Sequence, residues 1–323
     1  MVSGANSSLH AKQEATFLAV TTCSTGVLGG HGLKITSFEK NNNLQAVWGL
    51  GSRTQTVTIE KQFTGTLGLE FIMSNPWFLF PILGIKADGG SGPASYTHTF
   101  TEADTLPSFK FNNSLNIDTA STADLNISIM GVVNTGASIS TAVGDAVSVS
   151  MDFVYATESI AESAFVAQTA ETYQPYTFAH GVLEFPNGTT VANCQAVDIS
   201  ISQNADMVWG LGSRLGTAHV DKNRAYSIRT SAYFTSTAAF LKLFYNGTTG
   251  TSPGNITEIA TLQLTFTNGT QIVEFTFSGL KIDTDALPQS VDAATMEDIS
   301  ILARTLTVVC TDSTATFPAV LAA

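Results

Sequence analysis

Charge is scarce in this chain of 323 residues. Asp, Glu, Lys and Arg together make up 12%, against roughly 25% in an ordinary globular protein. Basic residues are scarcest: 14 Lys and Arg face 26 acids, for a net charge of −12. They form no run and divide evenly between the two halves. Sequence-independent nucleic-acid binding works by neutralising phosphates with clustered bases, so a DNA-binding module is excluded. Cysteine is also rare. Cys23, Cys194 and Cys310 are far apart and odd in number, which leaves no disulfide framework and no metal-binding pair. Each is expected to be a small buried hydrophobe.

Long apolar runs are absent as well. The best, Trp77 to Ile85, contains Pro81 and falls far short of the roughly 18 residues a membrane helix needs. No basic segment followed by an apolar core opens the chain, so no secretory signal is expected. Residues 1–16, small and polar, read as a flexible arm. Catalytic patterns are missing too. The five histidines (His10, His31, His98, His180 and His219) share no ligand spacing. There is no nucleophile elbow, Walker loop or dinucleotide fingerprint. Asp283 with Asp285, and Glu297 with Asp298, lack the spaced oxygen set of a calcium loop. No enzyme activity, cofactor or metal is expected.

What remains is rich in Ser, Thr, Asn and apolar residues in alternation. Leu125–Met130, Val147–Met151, Val197–Ile201 and Leu262–Phe266 alternate apolar and polar, the mark of a strand with one buried face. Asn187-Gly188 and Asn268-Gly269 read as hairpin turns. Two segments break the pattern at matching places. Ser74–Gly84 and Ser236–Gly247 each begin with a capping residue and end on glycine, predicting short helices laid on a sheet. Of the seven glycosylation sequons, chance explains most in so Asn- and Ser-rich a chain.

The most informative feature is a repeat. Val47-Trp48-Gly49-Leu50-Gly51-Ser52-Arg53 recurs as Val208-Trp209-Gly210-Leu211-Gly212-Ser213-Arg214, half a chain length later. Strand, loop, strand, helix, long loop, hairpin and closing strand follow in the same order in both halves. The second strands read as Val57–Phe71 and Val220–Phe234, and the closing strands lie near Val147–Tyr155 and Leu302–Val309. The spacing predicts a tandem duplication with a boundary near 157–172. The repeated loop has two readings. It is a turn tucked onto the sheet, or a protein–protein contact. Trp and Arg are the residue types that anchor interfaces, and glycine allows close approach.

With this loop in both halves, and with Tyr96-Thr-His-Thr-Phe100 and Leu106-Pro-Ser-Phe109 after the first helix, the chain resembles the tail tube proteins of tailed phages and archaeal tailed viruses. The resemblance spans most of the chain, although the second half lacks a clear Tyr-Thr-His-Thr counterpart. It implies a mainly β fold: two tandem β-sandwich domains, 1–160 (with the arm) and 161–323, each flanked by one short helix. It further implies a structural virion protein, assembled in the host cytoplasm, that forms stacked rings around a genome channel. One-domain relatives close rings of six, so three of these chains would suffice. The contact loops would be Trp48, Leu50, Ser52 and Arg53, with Trp209, Leu211, Ser213 and Arg214. Segments 41–56 and 204–219 and the arm would link rings. Glu60, Glu70 and Asp221 are candidates to line the channel. Expected partners are the chain itself and the tape measure, terminator and distal tail proteins. Duplex DNA would pass without specific binding, and no membrane is involved. A distal tail or injection-tube component is the alternative, with a cell-surface β-sandwich protein further behind.

Overall fold

The computed structural model describes residues 7–19, 22–23, 26–90, 95–117, 123–234, 241–245, 250, 252, 256, 258–292, 294–318 and 321. The first half runs β1 (Ser7–Gln13), β2 (His31–Asn41), β3 (Gln45–Trp48), β4 (Gln55–Ile59), β5 (Thr64–Ile72), α1 (Leu79–Leu83), β6 (Gly84–Gly90), β7 (Tyr96–Glu102), β8 (Phe109–Leu115), β9 (Asp124–Ala142), β10 (Ser148–Tyr155) and β11 (Thr157–Ser163). The second half, after a short 3₁₀ turn at Phe178–His180, runs β12 (Gly181–Glu184), β13 (Cys194–Ser202), β14 (Asp206–Trp209), β15 (Gly216–Val220), β16 (Ala225–Tyr233), α2 (Leu241–Phe244), β17 (Ile259–Asn268), β18 (Gln271–Ala286), β19 (Met296–Ala303) and β20 (Thr305–Asp312). The fold is mainly β, as the period-2 alternation predicts. In β10, Val149, Met151 and Phe153 are buried while Ser148, Ser150 and Asp152 turn to the other face.

Pairing is antiparallel throughout the described strands and repeats between the halves. One continuous run has the order β2-β5-β10-β9-β13-β16-β19-β18. The long strand β9 serves two sheets. Its first part pairs with β8 and β11, and its last part pairs with β10 and β13. β18 does the same with β17 and β20, then β19. The correspondence holds residue by residue. Phe153 opposes Asn134 as Ile301 opposes Ile282, and Met130 opposes Thr157 as Ser278 opposes Thr305. Each long strand kinks at a left-handed glycine, Gly131 (φ 64) or Gly279 (φ 68), where any other residue would be strained. A buried core runs through both halves, from Phe71, Phe78 and Phe153 to Ile199, Phe277 and Ile301.

Several expectations change. Ser7–Gln13, read as part of a flexible arm, pair along their whole length with β8 and bury Leu9 and Ala11; residues 1–6 lie outside the described residues. Ser8 and His10 are buried against the Val166 carbonyl, while β8 supplies the backbone partners of the strand. Thr157–Ser163, read as a boundary of low order, is strand β11 on the edge of β9. The single long strands predicted after each repeated loop are broken. Each begins as the second arm of a separate two-stranded hairpin, β3–β4 or β14–β15. The chain enters these hairpins through left-handed Asn43 and Asn204, whose side-chain amides donate to the carbonyls of Gln62 and Asn223, both at 2.8 Å. The closing strand expected at Leu302–Val309 straddles the break between β19 and β20.

The first helix is shorter than predicted. Around Pro76, i→i+3 bonds form first (Leu79 N–H to Pro76 carbonyl, 3.0 Å), and α1 covers only Leu79–Leu83, all buried. Gly84, at φ 91, ends it as expected. Of the second predicted helix, Leu241–Phe244 are helical, and 235–240 and 246–249 lie outside the described residues. Asn268-Gly269 joins β17 to β18, whereas Asn187-Gly188 makes a turn closed by one bridge, Glu184 to Thr190. The sequons at Asn112 and Asn126 are buried in strands.

Candidate assembly surfaces

The two repeated loops are the tips of matching hairpins. Gln45 opposes Ile59 as Asp206 opposes Val220, so the pairings are related by the same shift that carries Trp48 to Trp209. Part of the repeated string is needed for the turn itself. Gly51 (φ 80) and Gly212 (φ 88) are left-handed. The Ser52 hydroxyl donates to the Thr54 carbonyl (2.8 Å) and the Ser213 hydroxyl to the Leu215 carbonyl (3.0 Å). Gly and Ser therefore hold the tip, in keeping with the turn reading.

Trp and Arg do something else, and only one copy does it within the chain. Trp209 donates its indole N–H to the Phe63 carbonyl at 3.1 Å. With Met207 of its own hairpin it joins a cluster formed by Leu106, Val133, Val154 and Ala156 of the first half. Arg214 donates to the Lys61 carbonyl (3.0 Å) and to Asn42 Oδ1 (3.1 Å), and its guanidinium lies 2.7 Å from the Glu60 carboxylate. The second hairpin is thus docked on the segment that closes the first. Among the described residues the first hairpin has no such seat. Trp48 is 59% exposed, with Leu44, Val57 and Ile59 exposed beside it. No hydrogen bond or ion pair reaches Arg53 among the described residues. A two-stranded hairpin without a supporting layer is marginal in water, and a cluster of exposed apolar side chains marks a contact surface. Leu50 and Leu211, at the tips, are fully exposed in both copies.

Two sheet edges matter equally. β9 continues into the second half through β13, with Ile139 opposite Ile199 and Ala137 opposite Ile201. Among the described residues, the corresponding last part of β18, Lys281–Ala286, pairs only with β19, and β2 pairs only with β5. Unpaired edges of this kind invite another strand.

The face of the continuous sheet away from the core is lined with hydroxyls. One cross-strand row reads Glu70, Ser150, Ser138, Ser200, Ser227. Of the expected channel acids, Glu70 lies on this face, 2.9 Å from the Lys34 ammonium. Glu60 and Asp221 lie off it, at the hairpin bases. Glu60 is paired with Arg214. Asp221 accepts the Leu106 N–H (2.9 Å) and sits 3.6 Å from His219.

One cluster escaped the sequence reading. Hairpin β6–β7 belongs to the first half but adds to the second through β7 and β20. Buried His98 fastens it, 2.7 Å from Asp88 and 3.3 Å from Asp312, with Nε2 also 2.9 Å from the Thr314 carbonyl. Burial works against the charged imidazolium, but the hydrogen bonds to Asp312 and Asp88 and their charges outweigh it, so the His98 pKa is raised. Only the strand alternation of Tyr96–Phe100 hints at this, since Asp312 and Thr314 lie at the far end of the chain. Cys23 and Cys310 are buried and Cys194 is partly buried; all three are free thiols with pKa values raised by burial. Among the described residues no group of three or more His, Cys, Asp or Glu is placed to hold a metal, and no helix is long and apolar enough to cross a membrane.

These surfaces (a continuous sheet with two unmatched edges, and one seated and one unseated contact hairpin) suit a subunit built to meet copies of itself. No curated protein matches the chain. A family model described as phage tail tube protein matches residues 4–314. With nearly its whole length matched, the chain belongs to the phage tail tube protein family and is a structural component of the virion tail.

Proposed function

We propose that three copies of this chain close into a ring, and that rings stack into the tube through which the genome is delivered. The observation that carries the reading is the junction between β9 and β13. The two repeated halves are joined edge to edge in one sheet, and among the described residues the matching edges, β2 and the end of β18, are open at opposite ends. A head-to-tail contact of this kind closes a ring when the rotation permits. Each chain brings eight strands to the continuous sheet, so three bring twenty-four. At a strand spacing of about 4.8 Å and a tilt of about 35–45°, such a barrel measures about 45–50 Å across the backbone. After side chains are allowed for, duplex DNA passes.

The hydroxyl-lined face, with Glu70, turns to the channel. Its bases, Lys34, Arg229 and Lys281, are outnumbered by the acids Glu70, Asp152, Asp198 and Asp298, so DNA slides without specific binding. Trp48 and Arg53 seat on the neighbouring chain as Trp209 and Arg214 seat within the chain. Leu50 and Leu211, with Ser52 and Ser213 fixing their turns, meet the next ring. Tape measure, terminator and distal tail proteins would contact the tube's inside and ends during assembly in the host cytoplasm.

Electron microscopy of the purified protein tests the proposal. Stacked rings with pseudo-six-fold end views, and three chains per ring by mass, are expected. Monomers that persist at high concentration would refute it.

A further inference from the structure

The repeat can be used to read the junction between chains from the junction within one. Inside the chain, Ala137 of β9 opposes Ile201 of β13 on the core face of the sheet. The two residues are 7% and 1% exposed. The shift that carries Trp209 back to Trp48 carries Ile201 to Lys40 on β2. The shift that carries Gly131 forward to Gly279 carries Ala137 to Asp285 on β18. Both shifts are fixed by pairings: Lys40 opposes Gly65 as Ile201 opposes Tyr226, and Asp285 opposes Ile299 as Ala137 opposes Met151.

A third position changes with them. Lys40 meets Glu158 of β11 at 2.8 Å. The counterpart of Glu158 in the second half is Leu306, which is buried. Three apolar residues (Ala137 and Ile201, paired across the junction within the chain, and buried Leu306 of β20) thus correspond to Asp285, Lys40 and Glu158 at the open ends. Asp285 stands out in the isolated chain. Both carboxylate oxygens are buried and neither has a hydrogen-bond partner among the described residues, and burial alone raises its pKa. An unpaired buried carboxylate is costly and calls for a cation. An ammonium has three donors, enough for two carboxylates.

We propose that the end of β18 adds to β2 of the next chain in the register of β9 on β13, placing Asp285 opposite Lys40 and Thr284 opposite Asn41, with the Lys40 ammonium shared between Glu158 of its own chain and Asp285 of its neighbour. The partner is a second copy of this chain, and the inference rests on the ring reading above. The charged junction also sets polarity and partner choice. Strand edges that would otherwise pair indiscriminately are matched by opposite charge across the seam.

Charge reversal and cross-linking test the pairing. Lys40→Glu puts three carboxylates together and is expected to raise the concentration needed for tube formation by at least about tenfold. Adding Asp285→Lys is expected to bring it back to within about threefold of the unmodified chain. Cysteines at Asn41 and Thr284 should form disulfide-closed three-chain rings under mild oxidation. Cysteines at Glu39 and Thr284, out of register, should not. Tubes that form normally while the double charge variant gives no recovery and the 41/284 pair does not cross-link would overturn the register and leave the ring reading standing. Failure of the unmodified chain to assemble would overturn both.

Discussion

The two hairpins make opposite demands on the same residue type, and a tryptophan truncation in each separates them. Fully burying a Trp or Phe stabilises by about 3–5 kcal/mol relative to Ala. Trp209 is half-buried, so about half of that applies, about 1.5–2.5 kcal/mol, and loss of its bond to the Phe63 carbonyl adds about 0.5 kcal/mol. Trp209→Ala should therefore destabilise the single chain by about 2–3 kcal/mol. Trp48, 59% exposed, has little to lose, and Trp48→Ala should change single-chain stability by less than about 0.5 kcal/mol. The order reverses in assembly. When Trp48 takes an equivalent seat on a neighbour, its loss removes the same contribution, about 2–3 kcal/mol, from each junction. That corresponds to about 30- to 150-fold weaker association at about 1.4 kcal/mol per decade. Urea unfolding of dilute, unassembled protein measures the first effect, and sedimentation of tubes over a concentration series measures the second. Equal destabilisation of the single chain by both variants would refute the reasoning, as would an unchanged assembly threshold for Trp48→Ala.

Two further predictions concern the repeat and its staple. Gly65 is glycine because the ring of Tyr155 lies where its Cβ would be, 2.1 Å from Cζ; the second half solves the same pairing with Tyr226 opposite Ala303. Tyr155→Ala should cost about 3–5 kcal/mol, and adding Gly65→Tyr should recover about 2 kcal/mol through coupling; a denaturation cycle giving additive costs would count against equivalence of the halves. For the His98 staple, the folded-state pKa lies above the unfolded value of 6.5, so its contribution is fully present below pH 6.5 and is lost as pH rises through the folded value. Denaturation midpoints should fall over that alkaline limb in the native chain and stay flat in His98→Asn, and parallel profiles would show that the imidazolium plays no part.

How much of this is legible in the sequence follows from the range of the interactions involved. Alternation in Val147–Met151 reveals a strand because burial of every second side chain is a local signal. The left-handed stop at Gly84 is readable for the same reason. Ser7–Gln13 are not, since their strand identity depends on a partner, β8, that lies far along the chain. The duplicated loop is visible as a string, yet the asymmetry between Trp48 and Trp209 is not. Identical local sequences differ only in what packs against them. Lys40, Glu158 and Asp285 give no signal at all, because they show themselves as departures from a repeat whose alignment needs two different shifts. One shift superimposes the hairpins, and a shorter one superimposes the kinked glycines. Glu60 and Asp221 suggest channel residues only by their proximity to strands, and the side-chain partners that hold them at the hairpin bases are long-range.

Among the described residues, the β6–β7 hairpin has no counterpart in the second half. It covers the edge of β20, while among the described residues the equivalent edge at β11 is bare, with Ile160 exposed along it. A closed ring would then carry three covered and three open edges in alternation around its rim. Such a ring would be three-fold at these edges even where its continuous sheet approximated six-fold symmetry. Any neighbouring component that grips the rim would meet two kinds of site, and a six-fold collar could engage only every other one in the same way. In a ring of three chains the fused pair would thus give the tube a set of rotational address marks that a ring of six identical units would lack.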